Sequence, residues 1–256
     1  MTLSDGELER YSRQLLMDEW GGATQERLRA ARAIIVGAGA LGSPVATYLA
    51  AAGVGQIGLV DPDAVELSNL HRQPLFFTPD LGGPKAEVAV AKLMLLNPEV
   101  LFEPYPVELD DQNAEAIVMG ADVVVDCTDS FESRYAINHA CCAQKIPLVE
   151  AGVVAFEGLV LTIRPGASAC YRCAFPTAPP PEARRGCRDA GVLGAMAGIV
   201  GSMQALEALK LLSGVGSPFT DQIVCLDGLT GAQTVVATSR RIDCESCGGL
   251  QGPPSS

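Results

Sequence analysis

Four cysteines of this chain occur as two pairs, and the members of each pair are separated by two residues. Cys170 and Cys173 form the first pair, and Cys244 and Cys247 form the second. Four thiolates are the tetrahedral ligand set that Zn²⁺ prefers, and a full set leaves no open position for catalysis. The spacing therefore predicts a structural zinc site that ties the end of the chain to its middle. A redox C-x-x-C motif is the less favoured alternative, because two copies would need separate explanations.

A glycine-rich segment, Gly37-Ala38-Gly39-Ala40-Leu41-Gly42, points to a second kind of chemistry. It fits a fingerprint in which glycines permit a tight turn, close approach of the backbone to phosphate, and close helix–strand packing. An apolar run precedes it at 32–36 and a helical pattern follows at 43–52, so an anion would meet a helix N-terminus. Asp61 ends the next apolar run, at the distance usual for a carboxylate that accepts from ribose hydroxyls. The segment predicts a nucleotide site, the alternative being glycines that serve packing only.

Three charged residues indicate that the nucleotide is ATP rather than a nicotinamide. Arg72 lies in a long connection, 62–83, and Lys85 lies just inside the following helix. Two cations suit a triphosphate, whose charge must be neutralised as it develops on the leaving group. Asp129 follows a predicted strand, where open α/β sheets bind ligands, and its carboxylate would hold Mg²⁺ against the phosphates. Taken singly, each of these side chains could instead be a solvated surface residue.

Cys187 differs from the paired cysteines because it stands among arginines, in Arg184-Arg185-Gly186-Cys187-Arg188, just before a predicted helix. Neighbouring cations and a helix N-terminus both favour the thiolate, so we expect a catalytic or covalent role. The alternative is an unreactive thiol beside arginines that bind a partner. The remaining cysteines of the chain are expected to be core residues: Cys127, Cys141, Cys142 and Cys225. With only two histidines, His71 and His139, a histidine-centred mechanism has little material.

The elements that must position these residues alternate between strand and helix. Strands are predicted at 32–36, 56–60, 100–105, 122–127 and 146–149, and helices at 43–52, 84–96, 110–119 and 131–142. This alternation predicts a Rossmann-like, mostly parallel sheet with helices on both faces. Beyond residue 150 the pattern favours antiparallel strands: a hairpin of 153–156 and 159–163 around Glu157-Gly158, then strands at 223–226 and 234–237. The apolar, glycine-rich helix 191–212 is either a core helix or one at a subunit interface.

We expect a single domain over 1–250. It would comprise an N-terminal helical arm at 1–31, a nucleotide-binding half at 32–150, and a second half at 151–250 that contains a Pro- and Arg-rich loop, 174–189. The tail 251–256 is expected to be disordered.

The overall charge and apolar content exclude several classes of function. The net charge of −12 argues against a nucleic-acid partner, which requires a broad basic face. Residues 1–10 are polar and acidic, unlike a secretion signal, and the longest apolar run, 190–203, is too short and glycine-rich to span a bilayer. An odd count of nine cysteines without a signal argues against a disulfide framework. We therefore expect a cytoplasmic protein that binds neither nucleic acid nor membrane.

Together these residues resemble the ThiF/MoeB/HesA family, the bacterial relatives of ubiquitin-activating enzymes. The resemblance extends from Arg10-Tyr11-Ser12-Arg13-Gln14 to the second cysteine pair. It implies an enzyme that uses ATP and Mg²⁺ to adenylate the C-terminal glycine of a small ubiquitin-like sulfur carrier ending in Gly-Gly, with release of pyrophosphate. A separate donor protein would then supply sulfur for a thiocarboxylate. The single domain would be an adenylation domain, with the carrier bound by 151–250 and its tail threaded under the crossover loop 174–189.

The resemblance also implies residue roles. Asp61 would hold the ribose, Arg72 and Lys85 the phosphates, and Asp129 the Mg²⁺, with Asn69 orienting the phosphates. Arg13 would reach the nucleotide of the other subunit, which implies a homodimer. The implied nucleotide-binding set is Gly37, Gly39, Ala40, Gly42, Asp61, Asn69, Arg72, Gln73, Lys85, Asp129 and Ser130. The implied catalytic set is Arg13, Arg72, Lys85, Asp129 and Cys187, and the implied zinc ligands are Cys170, Cys173, Cys244 and Cys247.

Two positions depart from the family pattern: Ala40, where many members have Gly, and Ser130, where Asn is common. Within the family, Cys170-Tyr171-Arg172-Cys173-Ala174-Phe175-Pro176 and the surroundings of Cys187 favour the ThiF branch, in which that cysteine can bond to the carrier. The carrier would be ThiS-like or MoaD-like, and thiamine, molybdopterin and tRNA thiolation all stay open as pathways. An NAD-dependent oxidoreductase is the competing function, although no catalytic His or Tyr-Lys pair is evident. A non-catalytic scaffold is the third, and intact Arg72, Lys85 and Asp129 argue against it.

Overall fold

The computed structural model describes residues 3–180 and 190–250. Its centre is an eight-stranded sheet of order β3-β2-β1-β4-β5-β6-β7-β8. The strands are β1 Arg32–Val36, β2 Gln56–Val60, β3 Leu101–Tyr105, β4 Val123–Asp126, β5 Leu148–Val154, β6 Glu157–Ile163, β7 Gln222–Asp227 and β8 Gln233–Ala237. Pairing is parallel from β3 through β5 and antiparallel from β5 through β8. The predicted fold class, a Rossmann-like parallel sheet continued by antiparallel strands, is confirmed.

Helices cover both faces of the sheet. They are α1 Asp5–Arg10, α2 Ser12–Leu15, α3 Gly21–Ala30, α4 Gly42–Ala52, α5 Lys85–Leu96, α6 Ala114–Val118, α7 Phe131–Gln144, α8 Tyr171–Ala174 and α9 Gly194–Ser213. One hydrophobic core lies beneath α3, α4, α5 and α9, and the other beneath α6, α7 and α8. Strand β1 feeds both, because Ala33 and Ile35 face the first core while Ile34 faces the second. Burial on both faces explains its continuous apolar run.

The strand order determines where a ligand can bind. Strand β1 lies between β2 and β4, so the chain leaves it towards one edge and later returns to its other side. Connections that diverge from neighbouring strands open a crevice at the carboxyl ends of those strands. The glycine turn after β1 and the Asp129 loop after β4 both lie at this crevice.

The hairpin after residue 150 was predicted with its turn in the wrong place. Ala155 and Phe156 connect the two strands, whereas Glu157 and Gly158 belong to β6, where Glu157 pairs with Val154. Ala155 has a left-handed φ of 49°, and its carbonyl accepts from the Leu193 N–H at 3.2 Å. Strand β5 is also longer than predicted and pairs with both β4 and β6. Its polar and glycine positions hide that continuity from a pattern of apolar residues.

Helix α6, at Ala114–Val118, is shorter than the predicted helix 110–119. The side chain of Asp110 explains the delay. It accepts from the backbone N–H groups of Gln112 and Asn113, at 2.8 and 3.1 Å. These residues thus form a turn before the helix begins.

Among the described helices, α9 is the one that length and composition would allow to cross a membrane, and 44% of its most apolar stretch is buried inside the protein. It packs on α4, β5 and β6. Two of its polar residues are fully buried and paired: Gln204 donates to the Asp126 carbonyl at 2.7 Å, and Glu207 accepts from the Thr162 hydroxyl at 2.6 Å. One side of α9 therefore belongs to the core, while Ile199 and Leu206 are exposed.

Candidate functional site

The three glycines of the turn have different structural reasons to be glycine. Gly37 has a φ of 97°, and a Cβ there would lie 2.8 Å from the carbonyl oxygen of Cys127. At Gly42, a Cβ would lie 1.8 Å from the carbonyl oxygen of Gly37. At Gly39, the nearest atom would be Nε2 of Gln73 at 3.6 Å, an ordinary contact. The fold thus requires glycine at 37 and 42, whereas the space at Gly39 is not used by the fold.

A buried carboxylate and a buried cation flank this turn. Asp61, directly after β2, accepts from the N–H groups of Ala38 at 2.7 Å and Asp63 at 2.9 Å. Each carboxylate oxygen keeps a lone pair for a further donor. Burial raises the pKa of Asp61, and the nearby Lys85 charge opposes that rise. Lys85 begins α5, and its Nζ donates to Asp63 at 2.8 Å; the lysine side chain is 6% exposed but that of Asp63 is 62% exposed. A ligand can therefore replace Asp63 at the buried ammonium group.

The connection between β2 and α5 carries three further predicted residues, of which Gln73 lies beside the turn. Asn69 is buried, and its Oδ1 accepts from the Glu66 N–H at 3.1 Å, which closes the short helical turn Leu67–Asn69. Arg72 is half-buried and donates to the Ser68 carbonyl at 2.7 Å. Gln73 is buried beside Gly39, and its Oε1 has no hydrogen-bond partner among the described residues. A buried acceptor without a donor costs about 1–3 kcal/mol, so this orphaned atom marks a place for a ligand or water.

Asp129 lies on the loop that follows β4. Its side chain is exposed, and the preceding Cys127 carbonyl is the atom that would crowd a Cβ at Gly37. The Asp129 loop therefore lies against the glycine turn. Ser130 caps α7 by accepting from the Ser133 N–H at 3.0 Å. The Ser130 side chain therefore stabilises the start of α7. Ala40, the other position that departs from the family pattern, is half-buried at the glycine turn.

Arg13 does not come near the glycine turn of its own chain. It is exposed on α2 and makes no hydrogen bond or ion pair with the residues that the structure describes. The neighbouring Gln14 donates to the carbonyl of Ala52, at the C-terminal end of α4. Helix α4 starts at the turn and has 11 residues, which at about 1.5 Å per residue separates its two ends by roughly 16 Å. Cys187, another predicted catalytic residue, lies outside the residues that the structure describes.

The paired cysteines form one buried cluster. Their sulfur atoms lie within 4.8 Å of one another, with 3.4 Å between Cys173 and Cys247 and 3.6 Å between Cys170 and Cys244. A tetrahedral Zn²⁺ with bonds of about 2.3 Å requires sulfur atoms about 3.8 Å apart. Backbone and side-chain donors also reach the cluster: the Arg241 N–H donates to Cys173 Sγ at 3.3 Å. The donor set and spacing fit Zn²⁺, so the cluster could hold this metal.

Of the other cysteines, Cys127, Cys141 and Cys142 are buried as predicted, whereas Cys225 is only partly buried. Cys225 instead lines a cavity of about 380 Å³ between the antiparallel strands and the Asp129 loop. The cavity is lined by residues of three kinds: small ones at Gly152 and Gly158, apolar ones such as Leu159, and charged ones at Asp129 and Arg134. The cavity therefore lies beside the Asp129 loop.

A buried charged cluster beneath Asp129 was missed by the sequence analysis. Asp126 and Glu150 are register partners on β4 and β5, and both are fully buried. Arg134 of α7 lies 3.1 Å from the Glu150 carboxylate. The available signal was the single glutamate within the otherwise uncharged strand Leu148–Val154. Charged residues are almost never fully buried unless they are paired, so a glutamate in a buried strand indicates a cation nearby.

Three comparisons place these features among known proteins. The profile of the ThiF family matches residues 11–246. The "Sulfur carrier protein adenylyltransferase" of Thermus thermophilus is 44% identical over 247 residues, which cover 94% of this chain and 91% of that protein. The mouse "Adenylyltransferase and sulfurtransferase MOCS3" is 47% identical over 96% of this chain, which spans 54% of that longer protein. Among solved structures, Escherichia coli MccB with ATP superposes with a TM-score of 0.83 at 25% identity, over 94% of this chain and 75% of MccB.

Proposed function

The chain belongs to the ThiF family, and we propose that it adenylates the C-terminal glycine carboxylate of a small ubiquitin-like sulfur-carrier protein, using ATP and releasing pyrophosphate. The observation that carries the proposal is the glycine turn: its second glycine leaves space that the fold does not need, and buried Asp61, Lys85 and Gln73 surround it. The likeness to a sulfur carrier protein adenylyltransferase supports the same chemistry. Adenylyltransferase relatives do not favour the competing nicotinamide oxidoreductase.

The geometry suits a reaction that needs no protein nucleophile. A carboxylate oxygen of the carrier attacks the α-phosphorus of ATP, and pyrophosphate leaves, so the protein has only to align the reactants and stabilise charge. In our proposal Asp61 accepts from the ribose hydroxyls, and Lys85, Arg72 and Asn69 hold the phosphates. Asp129 would hold Mg²⁺, which neutralises phosphate charge when it is bound. The Lys85 ammonium group is buried, but its partner Asp63 is exposed to solvent, so a phosphate of ATP would take the place of Asp63.

The cavity beside Asp129 supports a narrow, flexible substrate end. Gly152 lacks a side chain that would narrow it, since a Cβ there would face Arg134, and Thr234 and Asp227 offer polar groups on the opposite strands. An extended Gly-Gly tail has no side chains and would pass between such walls. The carboxylate at the tail's end would arrive near Asp129, where the nucleotide's metal is proposed to lie. The Cys187 thiolate of the crossover loop is proposed to displace AMP from the adenylated carrier and form a thioester. Sulfide supplied by a separate donor protein would then displace the thiol and leave the carrier as a thiocarboxylate.

A homodimer is supported by two observations. Gln14, the neighbour of Arg13, contacts the C-terminal end of α4, which lies roughly 16 Å from the glycine turn by the length of that helix, and we therefore propose that Arg13 serves a second copy. A groove of about 1030 Å³ also runs from Ser43 and Pro44, directly after the turn, to Ile199 and Leu206 on α9. Exposed Tyr48 and Leu95 line the same groove and are not expected to face water in a monomer. A second copy seated there would lie beside the nucleotide site.

The remaining features are consistent with a structural metal and a cytoplasmic enzyme. The cysteine cluster is proposed to hold Zn²⁺ and to tie residues 244–247 to α8. Because the cytoplasm keeps thiols reduced, cysteines there are available to bind metal rather than to form disulfides. The pathway served, whether thiamine, molybdopterin or tRNA thiolation, depends on the carrier that docks.

The proposal is tested by ATP–pyrophosphate exchange with a panel of purified carriers that end in Gly-Gly. Exchange should require a carrier, and it should be lost when the final glycine of that carrier is removed, because the reacting carboxylate is then misplaced. Lys85→Ala should abolish exchange while the protein stays folded. Exchange that proceeds equally well without any carrier, or binding of NADH in place of ATP, would refute the proposed reaction.

A further inference from the structure

The loop that carries Asp129 has no regular secondary structure. Asp129 and its neighbours follow β4 as an irregular segment, and the Asp129 side chain is exposed. Exposed loop side chains sample several orientations, yet a metal ligand needs a defined place. Residues on more rigid elements must therefore hold the loop.

Two side chains, one fully buried and one largely buried, bond directly to Thr128, which precedes Asp129. Asp126 Oδ1 accepts from the Thr128 N–H at 2.9 Å and from the Thr128 hydroxyl at 2.7 Å. On the other side, Arg134 Nη2 donates to the Thr128 carbonyl at 3.0 Å. Both the backbone N–H and the backbone carbonyl of Thr128 are thus held by side chains from β4 and α7.

Arg134 is itself held by charge. Its side chain is 12% exposed and lies 3.1 Å from the fully buried Glu150. Although burial disfavours a charged guanidinium, Glu150 and then Asp126 raise the pKa of Arg134, so that it stays charged. The planar guanidinium can donate in two directions at fixed geometry, which an ammonium group cannot do. One arm therefore meets Glu150 on β5 while the other meets the Thr128 carbonyl.

We propose that Arg134 is a positioning residue, which with Glu150 fixes the Thr128–Asp129 segment in the orientation that lets Asp129 bind the nucleotide's divalent metal. The inference rests on the proposed function, since it takes Asp129 to be the metal ligand. Arg134 acts here through the backbone of Thr128, and Glu150 acts through Arg134. Outer groups that orient metal ligands typically change metal affinity by about 10–100-fold.

The test measures metal binding and loop protection separately from activity. Mn²⁺ binding to the enzyme–ATP complex is followed by electron paramagnetic resonance, amide hydrogen exchange reports on 127–130, and a thermal melt reports stability. Arg134→Lys keeps the charge but loses one arm of the fork, and Glu150→Gln keeps the shape but loses the charge. For both, we expect Mn²⁺ affinity to fall about tenfold or more and the amides of 127–130 to exchange faster.

Two matched controls separate positioning from general stability. Glu207→Gln changes another fully buried, ion-paired glutamate, and Arg164→Lys changes an exposed arginine. Glu207→Gln should lower the melting temperature and leave Mn²⁺ affinity within about twofold of wild type.

The inference is overturned if Arg134→Lys and Glu150→Gln only lower the melting temperature, as Glu207→Gln does, while Mn²⁺ affinity and loop exchange stay unchanged. A wild-type protein that catalyses no pyrophosphate exchange and binds no Mn²⁺ with ATP would refute the proposed function instead, before any variant is compared.

Discussion

Substitution of Gly39 by alanine should separate nucleotide binding from folding. Gly39 has a φ outside the left-handed region, and its added Cβ would meet only Nε2 of Gln73 at 3.6 Å. Alanine at an unstrained glycine position restricts the unfolded chain and stabilises a protein by about 0.4–1 kcal/mol. For a chain of this size, each kcal/mol of added stability raises the melting temperature by roughly 2–4 °C, so the melting temperature of Gly39→Ala should rise slightly.

ATP should bind much more weakly to the same variant. The new methyl group occupies the space through which a phosphate would approach the backbone, so the nucleotide must withdraw from at least one charge-assisted hydrogen bond. Such a bond contributes about 1.5–3 kcal/mol, and each 1.4 kcal/mol corresponds to about tenfold in affinity. We therefore expect the dissociation constant of ATP to rise about 10–100-fold, measured by isothermal titration calorimetry alongside a thermal melt.

Two other glycines serve as controls for this experiment. Gly42→Ala would place a Cβ 1.8 Å from the Gly37 carbonyl oxygen, so it should lower stability as well as ATP binding. Gly22→Ala places a Cβ in open space in the first turn of α3 and should change neither property by much. Wild-type ATP affinity in Gly39→Ala would refute the reasoning, and so would a loss of stability equal to that of Gly42→Ala.

Two further predictions address the metal and the dimer. Removal of Zn²⁺ by a chelator should lower the melting temperature, and so should Cys247→Ser, because the cysteine cluster joins residues that are far apart in the chain. Metal analysis that finds no zinc in the folded protein would contradict this prediction. The Arg13→Ala and Lys85→Ala variants should each be inactive alone. Mixed dimers of the two should regain pyrophosphate exchange, because one site then combines an intact Arg13 with an intact Lys85. Absence of rescue after verified subunit mixing would show that Arg13 does not act across the interface.

Local sequence patterns predicted the strands and helices of residues 32–96 well. The glycine turn, the strand before it and the helix after it are adjacent in the chain, so their types and spacing carry the structure directly. Strands β1 and β2 begin and end where the apolar runs predict. The four cysteines were predicted to form one site because only a metal readily explains two C-x-x-C pairs, and their sulfur atoms do converge.

Long-range pairing decided what the sequence left open. Register between β4 and β5 places Asp126 opposite Glu150, and the packing of α7 brings Arg134 to them, so no local pattern could reveal the cluster. The same holds for β5, whose polar and glycine positions are stabilised by strands on both sides rather than by an apolar run of their own. The unused space at Gly39 and the unpaired oxygen of Gln73 likewise exist only once two distant segments meet. Residue types and their spacing predict local elements and motifs. The burial of a side chain and its distance from other groups depend on contacts between segments that are far apart in the chain.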